Sequence, residues 1–463
     1  MKKYLIAIMA VFVVSMIGIV ITTGILEKKK GVEDGVFSME TIRNTFRVDK
    51  NTIEKQRQTV EEKDNSGAFL ADVDTTVVND ITADEGGKSE GSDTEFFHAS
   101  ILTEKDLKTR EEYGINRDSI IETFAENNGN YCYDTMDESL HQLYAEILMA
   151  IRNRAEEVPL CTRSQDELDF AYRCVLDDHP EIFAVTGYTC VLHSANDTPV
   201  KTAFTAKYTM SATDEERALS QIRKYVSDYK SGISVSASDY EKVKYTYKFL
   251  IDNTEYVLDS KDNQNICSVM IYHQSVCLGY AKAMQYLLGE VGIRSTVVEG
   301  FAASGEPHAW NMVHIDNAYY YVDVTWGDSS YTNGNSAVRL LTGVNYDYLN
   351  ITTEELSFTH EIDNVVPVPQ CVDIADNYYV KEGLYFDNVN KNALSLIFKT
   401  AIEDGEDHIT IKCSNDAVYQ EMKYYLLDEQ RIFDYMPEGT ESLSYGENTD
   451  MHTITFLIKQ QQE

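Results

Sequence analysis

Positive charge is scarce in this chain. Forty lysines and arginines stand against 76 aspartates and glutamates over 463 residues, a formal net charge of −36. Such a surface repels a phosphate backbone, which argues against nucleic acid as a partner. It suits a soluble domain in an extracellular space, although charge by itself does not set location. The chain also lacks any C-x-x-C, any H-E-x-x-H and any tight local cluster of His, Asp and Glu, so no zinc-like ligand spacing is present and neither metal nor cofactor is expected. There is no P-loop, no dinucleotide fingerprint and no internal repeat. The eight cysteines follow no regular framework. Setting Cys277 aside leaves an odd seven, which cannot all pair internally. The expectation is mostly reduced, buried thiols, with room for one disulfide upstream of residue 236.

What is present concentrates in residues 275–328, which hold a cysteine, a histidine and an aspartate in an order that suits nucleophilic chemistry. Cys277 lies in SVCLGYAKAMQYLLGEVGI, where Ala281, Met284, Leu287, Leu288 and Val291 recur at helical spacing and Gly292 can end the helix. Ser275 reads as the N-cap. A thiol in the first turn meets free backbone N–H groups and the positive end of the helix dipole, which favour the thiolate. His308 to Ile315 and Tyr319 to Val324, the second holding Asp323, read as strands, with a turn predicted at Asp316 and Asn317. A two-residue turn puts His308 and Asp323 on one face, with Cβ atoms roughly 5–8 Å apart. The carboxylate can then fix the tautomer and orientation of the imidazole. Taken singly, each residue has a plainer reading: a buried small hydrophobe, a satisfied sheet histidine, a strand-end acid. His273 and His314 compete for the role of base, and both read as structural or solvent-facing. The 31 tyrosines read as fillers of half-buried strand positions rather than a sugar- or peptide-binding surface.

SVCLGYAKAMQYLL together with HAWNMVHIDNAYYYVDVTWGD resembles the transglutaminase-like core of bacterial surface proteins, a superfamily that also holds transglutaminases, some peptidases and peptide N-glycanases. The resemblance covers roughly residues 238–360. It implies Cys277 as nucleophile, His308 as base and Asp323 as orienting acid; the Cys277 N–H is the one oxyanion donor the residues name, with Gln274 as a second candidate and the side chain that completes the hole left open. Ser275 departs from the glycine this family often has before its Val-Cys pair. The implied reaction is attack on a carboxamide or peptide bond through a thioester. Proteolysis, acyl transfer and glycan–amide cleavage share that first half-reaction and stay open. The alternative is a catalytically silent surface binding module with the same fold. The implied partner is a protein or peptide substrate, with cell-wall and surface glycoproteins among the options.

The expected fold class is α+β: a transglutaminase-like, papain-like core with an N-terminal helical region and a small C-terminal α+β domain. Residues 1–30 read as a signal anchor or signal peptide, because Lys2 and Lys3 precede an apolar run over 4–26 long enough to span a bilayer as a helix. That places the expected protein in the cell membrane as a single-pass chain with its catalytic domain outside, or secreted if the segment is cleaved. Residues 31–115 read as a polar acidic linker, 116–235 as the helical region with a few strands, 236–365 as the core and 366–463 as the small domain. Helix starts are predicted at Thr135, Ser164, Thr213 and Ser238, each followed three residues on by Glu. Strands are predicted over 184–192, 203–210, 408–413 and 452–458, and helices over 392–402 and 416–427.

Overall fold

A computed structural model describes residues 21–27, 72–78, 102–195, 198–328 and 343–458. Two strands, β1 (Ile21–Glu27) and β2 (Asp72–Val78), join sheets formed later in the chain. Four longer helices follow, α1 (Glu104–Glu112), α2 (Arg117–Asn127), α3 (His141–Arg152) and α4 (Gln165–Asp178), with a short helix, Tyr131–Thr135, before α3 and β3 (Val158–Leu160) before α4. The hairpin of β4 (Val185–Ala195) and β5 (Thr198–Tyr208) completes a sheet of order β2-β4-β5-β3. Helix α3 is buried nearly all round, and its Leu143, Ile147, Leu148 and Ile151 pack into one apolar cluster with Leu168 and Val175 of α4. One charge pair sits inside this region. Arg110 lies 2.7 Å from Glu146, which also accepts from the Gln142 side chain and the Cys161 N–H. Those added hydrogen bonds are what make a buried ion pair tolerable.

The middle of the chain builds the frame of the site. Helices α5 (Ala212–Ser231) and α6 (Asp239–Asn253) lead to the short parallel pair β6 (Glu255–Tyr256) and β7 (Gln274–Ser275), and then to α7 (Cys277–Glu290). Strands β8 (Ser295–Ala302), β9 (Pro307–Ile315), β10 (Ala318–Val322), β11 (Leu349–Ile351) and β12 (His360–Ile362) make an antiparallel sheet of order β11-β10-β9-β8-β12. Met284, Leu287 and Leu288 of α7 pack with Val313 and Val322 of that sheet. The predicted turn closes the β9–β10 hairpin, with Asp316 at φ 51°. Gly292, at φ 80°, lets the Ile293 N–H return to the Leu288 carbonyl just past the end of α7.

The predicted helix starts divide. Ser164 caps α4 by accepting the Glu167 N–H, and Ser238 with Glu241 forms a reciprocal capping box on α6. Thr213 lies inside α5, because Ser211 is the extended residue whose hydroxyl accepts from Asp214. Thr135 ends a short helix, and Asp137 caps the turn that follows.

The C-terminal sheet has the order β1-β15-β16-β14-β13, where β13 is Tyr385–Phe386, β14 His408–Cys413, β15 Ser442–Asn448 and β16 Thr453–Leu457. Helices α8 (Lys391–Asp404) and α9 (Asp416–Lys423) cover it through Leu394, Phe398, Tyr419 and Met422. Asp347 ties this domain to the middle of the chain. It accepts from Tyr379 Oη at 2.6 Å, Asn448 Nδ2 at 2.8 Å and Thr453 Oγ1 at 3.1 Å. The buried Lys412 adds an ion pair to Glu355 at 2.9 Å.

The N-terminal expectation is corrected. Among the described residues no helix is long and apolar enough to cross a membrane. Ile21–Glu27, the end of the run read as a spanning helix, is a β-strand paired antiparallel with β15. Its β-branched residues Ile21, Thr22, Thr23 and Ile25 favour the extended form. Residues 4–20 lie outside the described residues, as do 31–71 and 79–101 of the stretch read as a linker. Single-pass anchoring, the membrane as a partner through an N-terminal helix, and the cell-surface location drawn from that anchor are therefore withdrawn. All eight cysteines are free and buried, so the disulfide allowed by the sequence does not form.

Candidate functional site

Cys277 lies in the first turn of α7, as predicted, but it is the first residue of the helix and Ser275 is not its cap. The cap position falls on Val276, which is extended and offers no side-chain acceptor. The Ser275 hydroxyl instead faces inward, 2.6 Å from Ser268 Oγ and 3.1 Å from the Asn263 carbonyl oxygen. Gly279 is needed one turn into the helix, because a Cβ there would collide with Ser275 Oγ and the Asn263 carbonyl. Gln274, expected as an oxyanion donor, has its amide 3.4 Å from the Glu255 carboxylate.

His308 enters from the start of β9, and Asp323 follows the last residue of β10. Asp323 is held from three sides. Its N–H donates to the Tyr348 carbonyl at 3.0 Å, its Oδ1 accepts the Trp326 N–H at 3.0 Å, and its Oδ2 lies 2.7 Å from His308 Nε2. A second imidazole reaches the same oxygen: His360, at the start of β12, places Nε2 3.0 Å from Asp323 Oδ2. Its Nδ1 is 2.8 Å from Thr359 Oγ1. The rings of Trp310, Trp326 and Tyr348 pack around His360 with centroids 4.8, 4.5 and 5.9 Å away. All three members of the cluster are buried.

Burial acts on all three groups, and it wins at only one. It works to lower the His308 pKa, but the Asp323 charge and hydrogen bond, with Cys277 within hydrogen-bonding reach, push it up to about 10. Burial works to raise the Asp323 carboxyl, but the His308 cation and the hydrogen bonds from both rings hold it well below the ordinary carboxylate range. At His360 burial prevails, aided by the neighbouring His308 charge, and lowers the pKa despite Asp323. Near neutral pH the cluster is thus an imidazolium, a carboxylate and a neutral imidazole.

This arrangement corrects the catalytic expectation. The donor atoms that converge within 4.8 Å of one another come from His308, Asp323 and His360, and no cysteine is among them. Asp323 divides its Oδ2 between two rings, so its carboxylate is not reserved for His308. Cys277 neighbours His308 but is buried like the other seven thiols. The reading of a membrane-anchored cysteine peptidase or acyltransferase working through a thioester is set aside on these grounds. His360 is the residue that sequence reasoning missed. It lies 37 residues beyond Asp323, and no local motif marks it. The competitors stand apart: His314 meets Arg294 at 3.2 Å, and the His273 ring faces Tyr225 with centroids 5.9 Å apart.

A model of the transglutaminase-like superfamily matches residues 227–324, which span the helix, hairpin and turn that carry Cys277, His308 and Asp323. A domain of that superfamily is present, and helical and β-rich segments flank it in an overall α+β architecture. No curated protein matches the chain. Among solved structures, a transglutaminase is similar at 16% identity with a TM-score of 0.23, over 33% of this chain and 46% of the other. A candidate cysteine protease from Cytophaga hutchinsonii is similar at 13% identity with a TM-score of 0.20, over 27% of this chain and 52% of the other. The chain thus spans about half the length of each of these two structures.

Proposed function

We propose that this protein is a binding module that keeps a transglutaminase-like core without using it for catalysis. The observation that carries this reading is the closed cluster in which Asp323 serves His308 and His360 together, all three side chains being shielded from solvent. In this reading Cys277, His308 and Asp323 hold the helix to the hairpin. The ligand class that charge supports is a cationic peptide or protein segment, since the chain carries a net −36. An open cavity of about 580 Å³ beside Asp252, Glu255 and Tyr272 already binds cationic side chains of the chain itself, Lys248 at 2.6 Å from Asp252 and Lys261 at 4.8 Å from the Tyr272 ring centroid, and an incoming cation would exchange with them. The division of the chain near residues 115, 235 and 365 belongs to the same proposal; the separate apolar cluster of residues 386–456 supports the last boundary, whereas Ala218, Ile222 and Tyr229 pack with Val243 and Leu250 across the one near 235.

The test offers the full chain a glutamine-containing protein with and without a labelled primary amine, and in parallel titrates a lysine- and arginine-rich peptide at low and high salt. Expected are no amine incorporation, no new N-termini, and peptide binding that weakens with salt. Amine incorporation or cleavage that disappears in Cys277→Ala would restore catalysis and overturn the proposal. So would an absence of any peptide binding at low salt.

A further inference from the structure

The sequence shows no ligand motif, yet three side chains of metal-binding type meet in space. His308, Asp323 and His360 bring one donor atom each to within 4.8 Å of the others. Both rings turn Nε2 toward one carboxylate oxygen, at 2.7 and 3.0 Å. We propose that this cluster is a binding site for a single divalent transition-metal ion of the zinc type, ligated by His308 Nε2, Asp323 Oδ2 and His360 Nε2.

The ligand chemistry fits. Two imidazoles and one carboxylate are a set that zinc and its first-row neighbours accept, whereas calcium and magnesium prefer oxygen alone. Metal–ligand bonds of about 2.0–2.2 Å, at angles between octahedral and tetrahedral, place ligand atoms roughly 3–3.5 Å apart. The 3.0 Å spacing of His360 from Asp323 lies in that range, the 2.7 Å spacing of His308 reaches it when that ring withdraws by a few tenths of an ångström, and the two rings' donor nitrogens stand within 4.8 Å of each other.

The surroundings fit as well. The atom of each ligand that faces away from the centre already has a partner. Asp323 Oδ1 accepts the Trp326 N–H, His360 Nδ1 meets Thr359 Oγ1, and His308 has Cys277 within hydrogen-bonding reach. Outer contacts of this kind fix ring orientation and tautomer in metal centres. The ligands come from β9, the end of β10 and β12, so a sheet rather than a loop sets their spacing. Trp310, Trp326 and Tyr348 wall the space around His360. Binding needs Nε2 of both rings free of hydrogen: a proton held there leaves to solvent or moves to Nδ1, where His360 donates to the Thr359 hydroxyl.

The proposal is independent of the binding-module reading, and its test needs no substrate. Full-length protein stripped with a chelator is titrated with Zn²⁺, with Co²⁺ as a coloured probe, and with Ca²⁺ as a control for the acidic surface. The expected result is one equivalent of Zn²⁺ or Co²⁺ bound, a visible cobalt band from nitrogen ligation, and a rise in melting temperature that Ca²⁺ does not give. His360→Ala should abolish the cobalt band. Thr359→Val, which keeps the ligands and removes an outer contact, should weaken binding about 10–100-fold and serves if the first variant does not fold. No stoichiometric binding of zinc or cobalt overturns the proposal. Binding unchanged by Thr359→Val, or a calcium response equal to that of zinc, overturns it too, since either places the ion elsewhere.

Discussion

Asp323 and His360 lie 37 residues apart in sequence and 3.0 Å apart in space, and their contact ends any exclusive pairing of Asp323 with His308. The carboxylate therefore has two dependents of unequal kind. His308 is a cation that needs it for charge, and His360 is a neutral ring that needs it for a hydrogen bond.

Removing each partner should give costs in that order. Asp323→Ala leaves a buried imidazolium without its counter-charge and should cost about 3–5 kcal/mol of stability. His360→Ala removes one hydrogen bond and opens a cavity among aromatic rings, for roughly 2–4 kcal/mol. Urea unfolding of the metal-free protein reads both. Equal costs, or a larger one for His360→Ala, would contradict the charge assignment.

The same cluster should give the metal-free protein a stability maximum near pH 6.5. His308 has a raised folded pKa of about 10, so its contribution is complete below its unfolded value of 6.5 and is lost as pH rises toward 10. His360 has a lowered folded pKa, so its contribution is complete above 6.5 and is lost as pH falls below that value. Asp323 has a lowered pKa as well, and its share is present above its unfolded 3.8 and disappears in stronger acid. Stability measured against pH should fall on both sides. His308→Gln should flatten the alkaline limb, and His360→Gln the limb just below pH 6.5.

The eight buried thiols should react slowly with an aromatic disulfide reagent in the native protein and all at once in denaturant. A single fast native phase that vanishes in Cys277→Ala would mean that this thiol is activated after all, and would reopen the catalytic reading.

Away from the site, Glu146→Leu strands the buried Arg110 and should cost about 3–5 kcal/mol. The double change Arg110→Met with Glu146→Leu should recover most of that loss, because an apolar pair asks for no desolvation. Chemical denaturation of the three variants checks the cycle. Additive costs would show that the two charges do not depend on each other.

Much of the core was readable from the sequence because its signals are local. The stripe from Ala281 to Leu288 produces α7, the turn at Asp316 and Asn317 produces the hairpin, and the even loop brings His308 onto Asp323. The misreadings have physical causes. Ser275 resembled a cap, but its hydroxyl points inward to Ser268 Oγ and the Asn263 carbonyl, away from the first-turn N–H groups of the helix. Thr213 matched a capping pattern, yet Ser211 took the position two residues earlier. His360 gave no local signal, because its value arises only when β12 pairs with β8 and brings it beside residues far back in the chain. The apolar stretch ending at Leu26 satisfied a rule of length and hydropathy, but its β-branched residues found an open strand edge at β15.

Asp347 lies next to Tyr348, whose carbonyl fixes the backbone of Asp323, while its carboxylate gathers Tyr379, Asn448 and Thr453 from the C-terminal side. Glu355, clamped by Lys412, sits five residues before His360. The C-terminal sheet is therefore no passenger. Heating should melt it together with the middle of the chain in one calorimetric transition, and loosening its grip on Asp347 should be felt as disorder around His308 before any of its own strands come apart.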